Sequence, residues 1–391
     1  MPRVADDRLA FLARIAPLFA LAYFILWLLN LDFSHPIPRD GTTLAIGRDF
    51  LNFWMAGRAA WGPDPVRFYD LAVYQAAVAK IVGPDYLGQV WSYPPNIMLP
   101  AAPFGLLPYL PALALWSVIG PVTLYLSLRG WARNRQLLIA SLLCPAAVFG
   151  LISGQFHFFA AALILTVLRW RDSRPWVAGA LLGLLTLKPQ LGLFFPLMLL
   201  ASRNWRVIAA ASLSALAIAG LTALLWGPQV WAAYLTEGIA TQSRVLSDPE
   251  ALGGPFMPTV FMNLRSAGLA VDSAFLVQGL ASLIAAALIV WRFWKRPSEN
   301  DWSANAMFLA AALFGTPYLL SYDTLPLTVA ILLAMPPRNA GRLLTFAVWL
   351  LPLLQLALGS IGVPGPALIP LFAALYLLKQ PASSTWVDQR N

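Results

Sequence analysis

The sequence predicts an all-α polytopic membrane protein, a bundle of about twelve spanning helices, and three observations carry that prediction. Hydrophobic residues make up 59% of the 391 and charged residues only 11%, where a soluble domain carries roughly 25% charged residues. Apolar runs long enough to hold one or two spans recur along the whole chain. Lys and Arg fall in short clusters between those runs, the pattern that the positive-inside rule produces. The net charge of +9 therefore speaks for membrane topology and against a nucleic-acid partner. Cys144 is the one cysteine, with only His35 and His157 beside it, so neither an internal disulfide nor a Cys/His metal cluster is expected.

The elements follow in order. Residues 11–31 are too long for a signal-peptide core and lack a small-residue cleavage site, so they are expected to stay as the first helix. Residues 32–108 form a long polar outer loop with interfacial helices. Within it, residues 97–108 are too short and too Pro-rich to span. A second helix is expected at 109–128. The basic clusters then bracket five hairpins: 136–168, 175–202, 207–291 with a large outer loop at 228–272, 303–337 and 343–378. The clusters are Arg3, Arg8 and Arg14; Arg129, Arg133 and Arg135; Arg169, Arg171 and Arg174; Arg203 and Arg206; Arg292, Lys295 and Arg296; Arg338 and Arg342; Lys379 and Arg390. Each should be cytoplasmic, as should both termini. Residues 1–391 are expected to be a single integral domain. Trp54, Trp61, Trp131, Trp170, Trp176 and Trp205 flank apolar runs, as an interfacial aromatic belt requires.

The hairpin tips carry the distinctive polar residues, all on the outer face. The first turns at Ser153-Gly154-Gln155-Phe156-His157, the second at Lys188-Pro189-Gln190, and a third at Thr316-Pro317-Tyr318 followed by Tyr322-Asp323. The last, around Gly359 to Pro366, is only a flexible turn. The arms around Lys188 are about a dozen residues each, too short to cross about 30 Å of hydrocarbon. Lys188 should therefore sit below the surface in a wet, protein-lined pocket. No acid is near it in sequence, so its partner is either a remote residue or an anionic ligand, and a lipid phosphate is the favoured one. A lysine snorkelling to the interface is the structural alternative.

Other candidates are weighed the same way. Asp49 stands beside Arg48 among Phe50, Phe53 and Trp54, where a carboxylate can act as general base on an acceptor hydroxyl; a surface salt bridge is the plainer role. Pro94-Pro95 forces Tyr93 into an extended backbone that can aim it at the site. Gln155 suits a sugar hydroxyl. His157 can serve as acid, base or hydrogen-bond donor, or simply as a polar cap. Tyr318, Tyr322 and Asp323 suit substrate binding, with Asp323 equally placed to cap the returning helix. Arg244 and Arg265 lie in the 228–272 loop, where they can reach a phosphate or merely be solvated. The residues leave Asp49, Asp70 and Asp323 all open as the base.

Gly47-Arg48-Asp49-Phe50 with Tyr69-Asp70, then Tyr93-Pro94-Pro95, Gly154-Gln155 and Leu187-Lys188-Pro189, in that order, resemble glycosyltransferase family 87, a group of the GT-C superfamily. The resemblance runs over residues 47–206, with weaker support from 316–323. It implies a GT-C-type helical bundle in a bacterial inner membrane with its active site on the periplasmic face. It also implies a polyprenyl-phosphate sugar donor, mannose being the expected hexose, a glycolipid or glycan acceptor, and inversion by direct displacement. Asp49 then matches the base, and Lys188, with Arg48 and Arg265, the donor phosphate site. Tyr93, Gln155, His157, Tyr318, Tyr322 and Asp323 would bind substrate. The family commonly has Asn where this chain has His157. No nucleotide-sugar or metal motif such as Asp-X-Asp is present, in keeping with a lipid donor and no cofactor. A transporter or lipid flippase is the rival class, and it would place polar groups on both sides of the membrane with repeat symmetry.

Overall fold

The computed structural model describes residues 7–86, 89–129, 134–247, 254–295, 301–334 and 338–380. Helix α1 (Asp7–Leu29) is followed by the first loop, itself helical: α2 (Arg48–Ala60), α3 (Leu71–Val82) and α4 (Met98–Gly105) precede α5 (Tyr109–Leu128). Helices α6 (Arg135–Leu142) and α7 (Pro145–Ser153) form one run bent by 48°, and α8 (His157–Trp170) returns. Next come α9 (Pro175–Gly183), α10 (Pro189–Gly192), α11 (Phe195–Ala201) and α12 (Trp205–Trp226). Helices α13 (Gln229–Ala233) and α14 (Ile239–Ser247) flank a π-helical turn at Tyr234–Gly238, and α15 (Val260–Ser266) leads to α16 (Val271–Lys295). The chain closes with α17 (Trp302–Gly315), α18 (Leu325–Ala334), α19 (Arg338–Gly359) and α20 (Ile369–Leu378).

Proline decides where many of these helices begin. Pro145, Pro175 and Pro189 occupy the first positions of α7, α9 and α10, where a missing N–H costs nothing and the fixed φ suits the helix. They cut long apolar runs into short pieces.

Two populations of helix result. Five are long and apolar enough to cross a membrane: α1, α5, α12, α16 and α19, or six if the bent α6–α7 pair is one span. Their outward faces carry leucines such as Leu216, Leu224 and Leu276 that no protein covers, Leu224 being 82% exposed. In water that surface would be prohibitive, and in lipid it is at home. The second population lies inside the rim. Helix α18 is buried on every side and α17 almost so, as expected of a helix apolar all round. Helices α8 and α17 have 14 residues each, about 21 Å at 1.5 Å per residue.

The expected count of twelve full spans is therefore not reproduced among the described residues. The predicted hairpins exist, but several arms are too short to cross, and those that meet at the 153–157, 188–190 and 316–323 tips end at one cavity.

The hairpin around Lys188 is real. Asn204 donates to Asp172 at 2.9 Å and Ser214 donates to the Ala180 carbonyl at 2.9 Å. Partner numbers rise together along α9 and α12, so the two helices run parallel. The chain between them must return to the end where α9 began, which excludes a single crossing through Lys188.

The basic clusters at 169–174 and 203–206 and the basic end of α16 share one end of the bundle. Arg171 Nη1 donates to Asn305 at the start of α17 at 2.5 Å, and the Arg203 guanidinium lies 5.6 Å over the Trp294 ring near the end of α16. The tips at 153–157, 188–190 and 316–323 gather at the opposite end. Arg3, Arg133, Arg296 and Arg390, both termini, Trp131 and residues 248–253 of the second loop lie outside the described residues. Trp54 departs from the expected aromatic belt. It is buried in the first loop, its indole donates to the Leu107 carbonyl at 2.9 Å, and Arg58 covers its ring.

Candidate active site

The site begins at two glycines that meet. Gly47 precedes α2 with φ +65°, and a Cβ there would fall 2.6 Å from Leu113. Gly154 ends α7 with φ +71°, and its Cβ would fall 2.6 Å from the Phe50 Cβ. Both positions need a left-handed backbone and a close approach, which glycine alone gives without strain. Trp116 holds the tip by donating to the Gly154 carbonyl at 2.9 Å, and the Tyr109 hydroxyl lies 2.6 Å from the Ile46 carbonyl. The first turn of α2 and the 153–157 tip are thereby fixed against each other, with Asp49 and Gln155 facing one space.

That space is a cavity of about 710 Å³. Asp49, Arg48, Tyr93, Gln155, Lys188, Tyr318, Tyr322 and Asp323 all line it. A single chain of polar contacts links most of them. The Phe156 N–H donates to Gln155 Oε1 at 2.8 Å, Gln155 Nε2 donates to the Tyr322 hydroxyl at 2.8 Å, and that hydroxyl donates to Asp49 Oδ2 at 3.0 Å. Lys188 Nζ lies 5.4 Å from the Tyr322 ring centroid and 2.8 Å from Asp323 Oδ1. Asp323 Oδ2 accepts from the Leu320 N–H at 3.1 Å, so the residue also holds the start of the returning helix. The expected cap role of Asp323 is present, and the same residue lines the cavity. The partner of Lys188 is thus a remote acid on the third tip. Its ammonium has three donors, and the Asp323 bond uses one.

Arg48 lines the cavity from the rim, paired with Asp40 at 3.3 Å. Tyr93 is tied down through its carbonyl, which accepts from the Tyr69 hydroxyl at 2.8 Å. Burial, reinforced by the Asp49 charge, pushes the Tyr93 phenol well above the ordinary tyrosine range, so it can only act as a neutral hydrogen-bonding group.

Two expected site residues are not brought into the cavity. His157 is buried with its ring nitrogens 3.1 and 3.2 Å from the carbonyls of Gln155 and Ala147, which makes it a staple between the tip and α7. Arg265 donates to the Leu269 carbonyl at 2.6 Å, closing the end of α15. Asp70 caps α3, accepting from the N–H groups of Ala72 and Val73 at 2.9 and 3.1 Å, and faces solvent. Among the described residues no cluster of three His, Cys, Asp or Glu side chains is placed to hold a metal.

Sequence reasoning missed the far wall. Ser92 donates to Gln242 at 2.9 Å, and Gln242 and Ser243 line the cavity with Tyr234 from the π-helical turn. Such turns are frequent at functional sites. The signal available was the polar run Thr241-Gln242-Ser243 beside Arg244.

Two curated relatives, alpha-(1->3)-arabinofuranosyltransferases of Mycobacterium tuberculosis strains CDC 1551 / Oshkosh and ATCC 25618 / H37Rv, are each 33% identical over 144 residues. The match covers 32% of this chain and 33% of each relative, so it spans about a third of their length. No solved structure matches. Residues 91–321, which include the first and second tips, the start of the third as far as Ser321, and the far wall of the cavity, match glycosyltransferase family 87. This chain belongs to glycosyltransferase family 87.

Proposed function

We propose that the protein transfers a sugar from a polyprenyl-phosphate donor to a hydroxyl of a glycolipid or glycan acceptor. The reaction takes place at the face opposite the basic clusters, the periplasmic face of a bacterial inner membrane. One observation carries this reading: a carboxylate, Asp49, and an ammonium, Lys188, line the same cavity with one tyrosine between them. Asp49 is the base of choice among the three acids. Asp70 is spent on a helix cap and Asp323 on Lys188, whereas Asp49 Oδ1 takes no hydrogen bond from the described residues.

In the proposed step Asp49 Oδ1 takes the proton of the acceptor hydroxyl. The acceptor oxygen bonds to the anomeric carbon as the bond from that carbon to the phosphate oxygen breaks, and the configuration inverts. The electron pair leaves with the polyprenyl phosphate, whose growing charge the free N–H groups of Lys188 stabilise. Leu26 and Trp27 of α1 with Phe149 and Ile152 of α7 give the cavity an apolar wall suited to the prenyl chain.

Mannose is the sugar that the family resemblance implies. The likeness to arabinofuranosyltransferases makes arabinofuranose a second reading. Purified protein in liposomes, given short-chain polyprenyl-phosphate mannose or polyprenyl-phosphate arabinofuranose with a host lipid extract, tests both. Labelled sugar should move from one donor to lipid, with inverted anomeric configuration by NMR. Retention of configuration would overturn direct displacement. Movement of intact donor across the vesicle, with no transfer from either, would turn the reading to a flippase.

A further inference from the structure

Tyr322 touches both charged centres of the cavity, and its hydrogen bonds have a fixed direction. The Gln155 side-chain oxygen accepts from the Phe156 N–H at 2.8 Å, so its amide nitrogen is the end that faces Tyr322. The phenol oxygen accepts from that nitrogen at 2.8 Å. Its one proton is then left for Asp49 Oδ2, 3.0 Å away. The side chain is buried, and the Lys188 ammonium sits over its ring at 5.4 Å. The other titratable groups around it are Asp49, Asp323, Tyr93, Tyr318 and the His157 ring at 6.0 Å.

We propose that Tyr322 is a positioning residue: its hydroxyl, oriented by Gln155, occupies one oxygen of Asp49 and leaves the other as the sole proton acceptor toward the cavity. This rests on Asp49 being the base. It assigns Gln155 and Tyr322 to the base rather than to the sugar. It also gives the 153–157 tip its purpose, since the backbone of Phe156 fixes the amide that sets the whole chain. The ring, meanwhile, lies against Lys188 while the hydroxyl holds Asp49, so the tyrosine stands between the two charges. An Asp49–Lys188 ion pair would occupy both the base and the phosphate site.

Tyr322→Phe is the test, because it keeps the ring under Lys188 and removes only the hydroxyl. Loss of a hydrogen bond to a charged group should lower kcat about tenfold to a hundredfold, with donor KM within about twofold. The acid limb of the kcat/KM profile should move to higher pH, since a carboxylate that loses a donated hydrogen bond is protonated more readily. Gln155→Leu, which cannot donate to Tyr322, should move the limb the same way and decides the matter if Tyr322→Phe is not recovered folded. Wild type and Asp49→Asn are run in the same assay. An active wild type and inactive Asp49→Asn, with a Tyr322→Phe profile that matches wild type or a loss confined to KM, would overturn the positioning role alone. A wild type inactive on every polyprenyl-phosphate sugar would remove the proposed activity and this role with it.

Discussion

Lys188 and Asp323 form a buried ion pair whose proposed role in transfer is separable from its structural one. Their side chains are 6% and 2% exposed and 2.8 Å apart, and removing one partner leaves the other charge buried alone. Lys188→Met should therefore cost about 3–5 kcal/mol as well as abolish transfer. The double variant Lys188→Met with Asp323→Asn should regain most of the thermal stability in detergent and none of the activity. Recovery of activity in the double variant would mean that Lys188 is structural only. Asp70 provides the contrast. As a helix cap, Asp70→Ala should lower stability by about 1 kcal/mol and leave turnover within about twofold, whereas turnover lost with Asp70 would reopen the identity of the base. At this scale the sequence was read well where a residue sits at a tip and poorly where the direction of its side chain matters. Gln155 and His157 are two apart, yet one looks into the cavity and the other back at the Ala147 carbonyl. The pairing of Lys188 with Asp323 spans 135 residues, and nothing local announces it.

Among the elements, the first loop is held by the Arg39–Asp85 ion pair at 2.6 Å. The hydrogen bonds from Arg39 bring the Asp85 carboxyl down from its ordinary 3.8 to about 2. The sign follows from that depression. The stabilising contribution is complete above 3.8, shrinks as pH falls, and is gone below about 2. Between those values pepsin should cut residues 32–46 faster as pH drops, and Asp85→Asn should cut fast throughout. Equal rates in both proteins would show that the pair does not pin the loop. Hairpin boundaries were legible because arginine clusters mark them, Arg169 to Arg174 and Arg203 with Arg206 on either side of Lys188. Helix lengths were not. A lipid-facing run such as α12 and a protein-buried one such as α18 are both strongly apolar with little one-sidedness, and periodicity does not separate them. Prolines such as Pro145 and Pro189 set the breaks, but their effect on span count depends on the cavity.

For the molecule as a whole, short buried helices lie inside a rim of long ones, and the proposed reaction site is the cavity at their ends. Asp49 from the first loop and Gln155, Lys188 and Tyr322 from three hairpin tips converge there as lining of the same cavity. That convergence could be anticipated from topology, since every polar tip fell on the side away from the arginines. The far wall could not, because Gln242 and Tyr234 sit on helices whose placement no charge pattern fixes. The most direct test of the central claim, that Asp49 is the base in this cavity, is sugar transfer by Asp49→Asn in liposomes at saturating donor, with donor binding measured alongside. Turnover should fall about a hundredfold or more while donor binding stays within about threefold. Turnover within about tenfold of wild type would contradict the assignment.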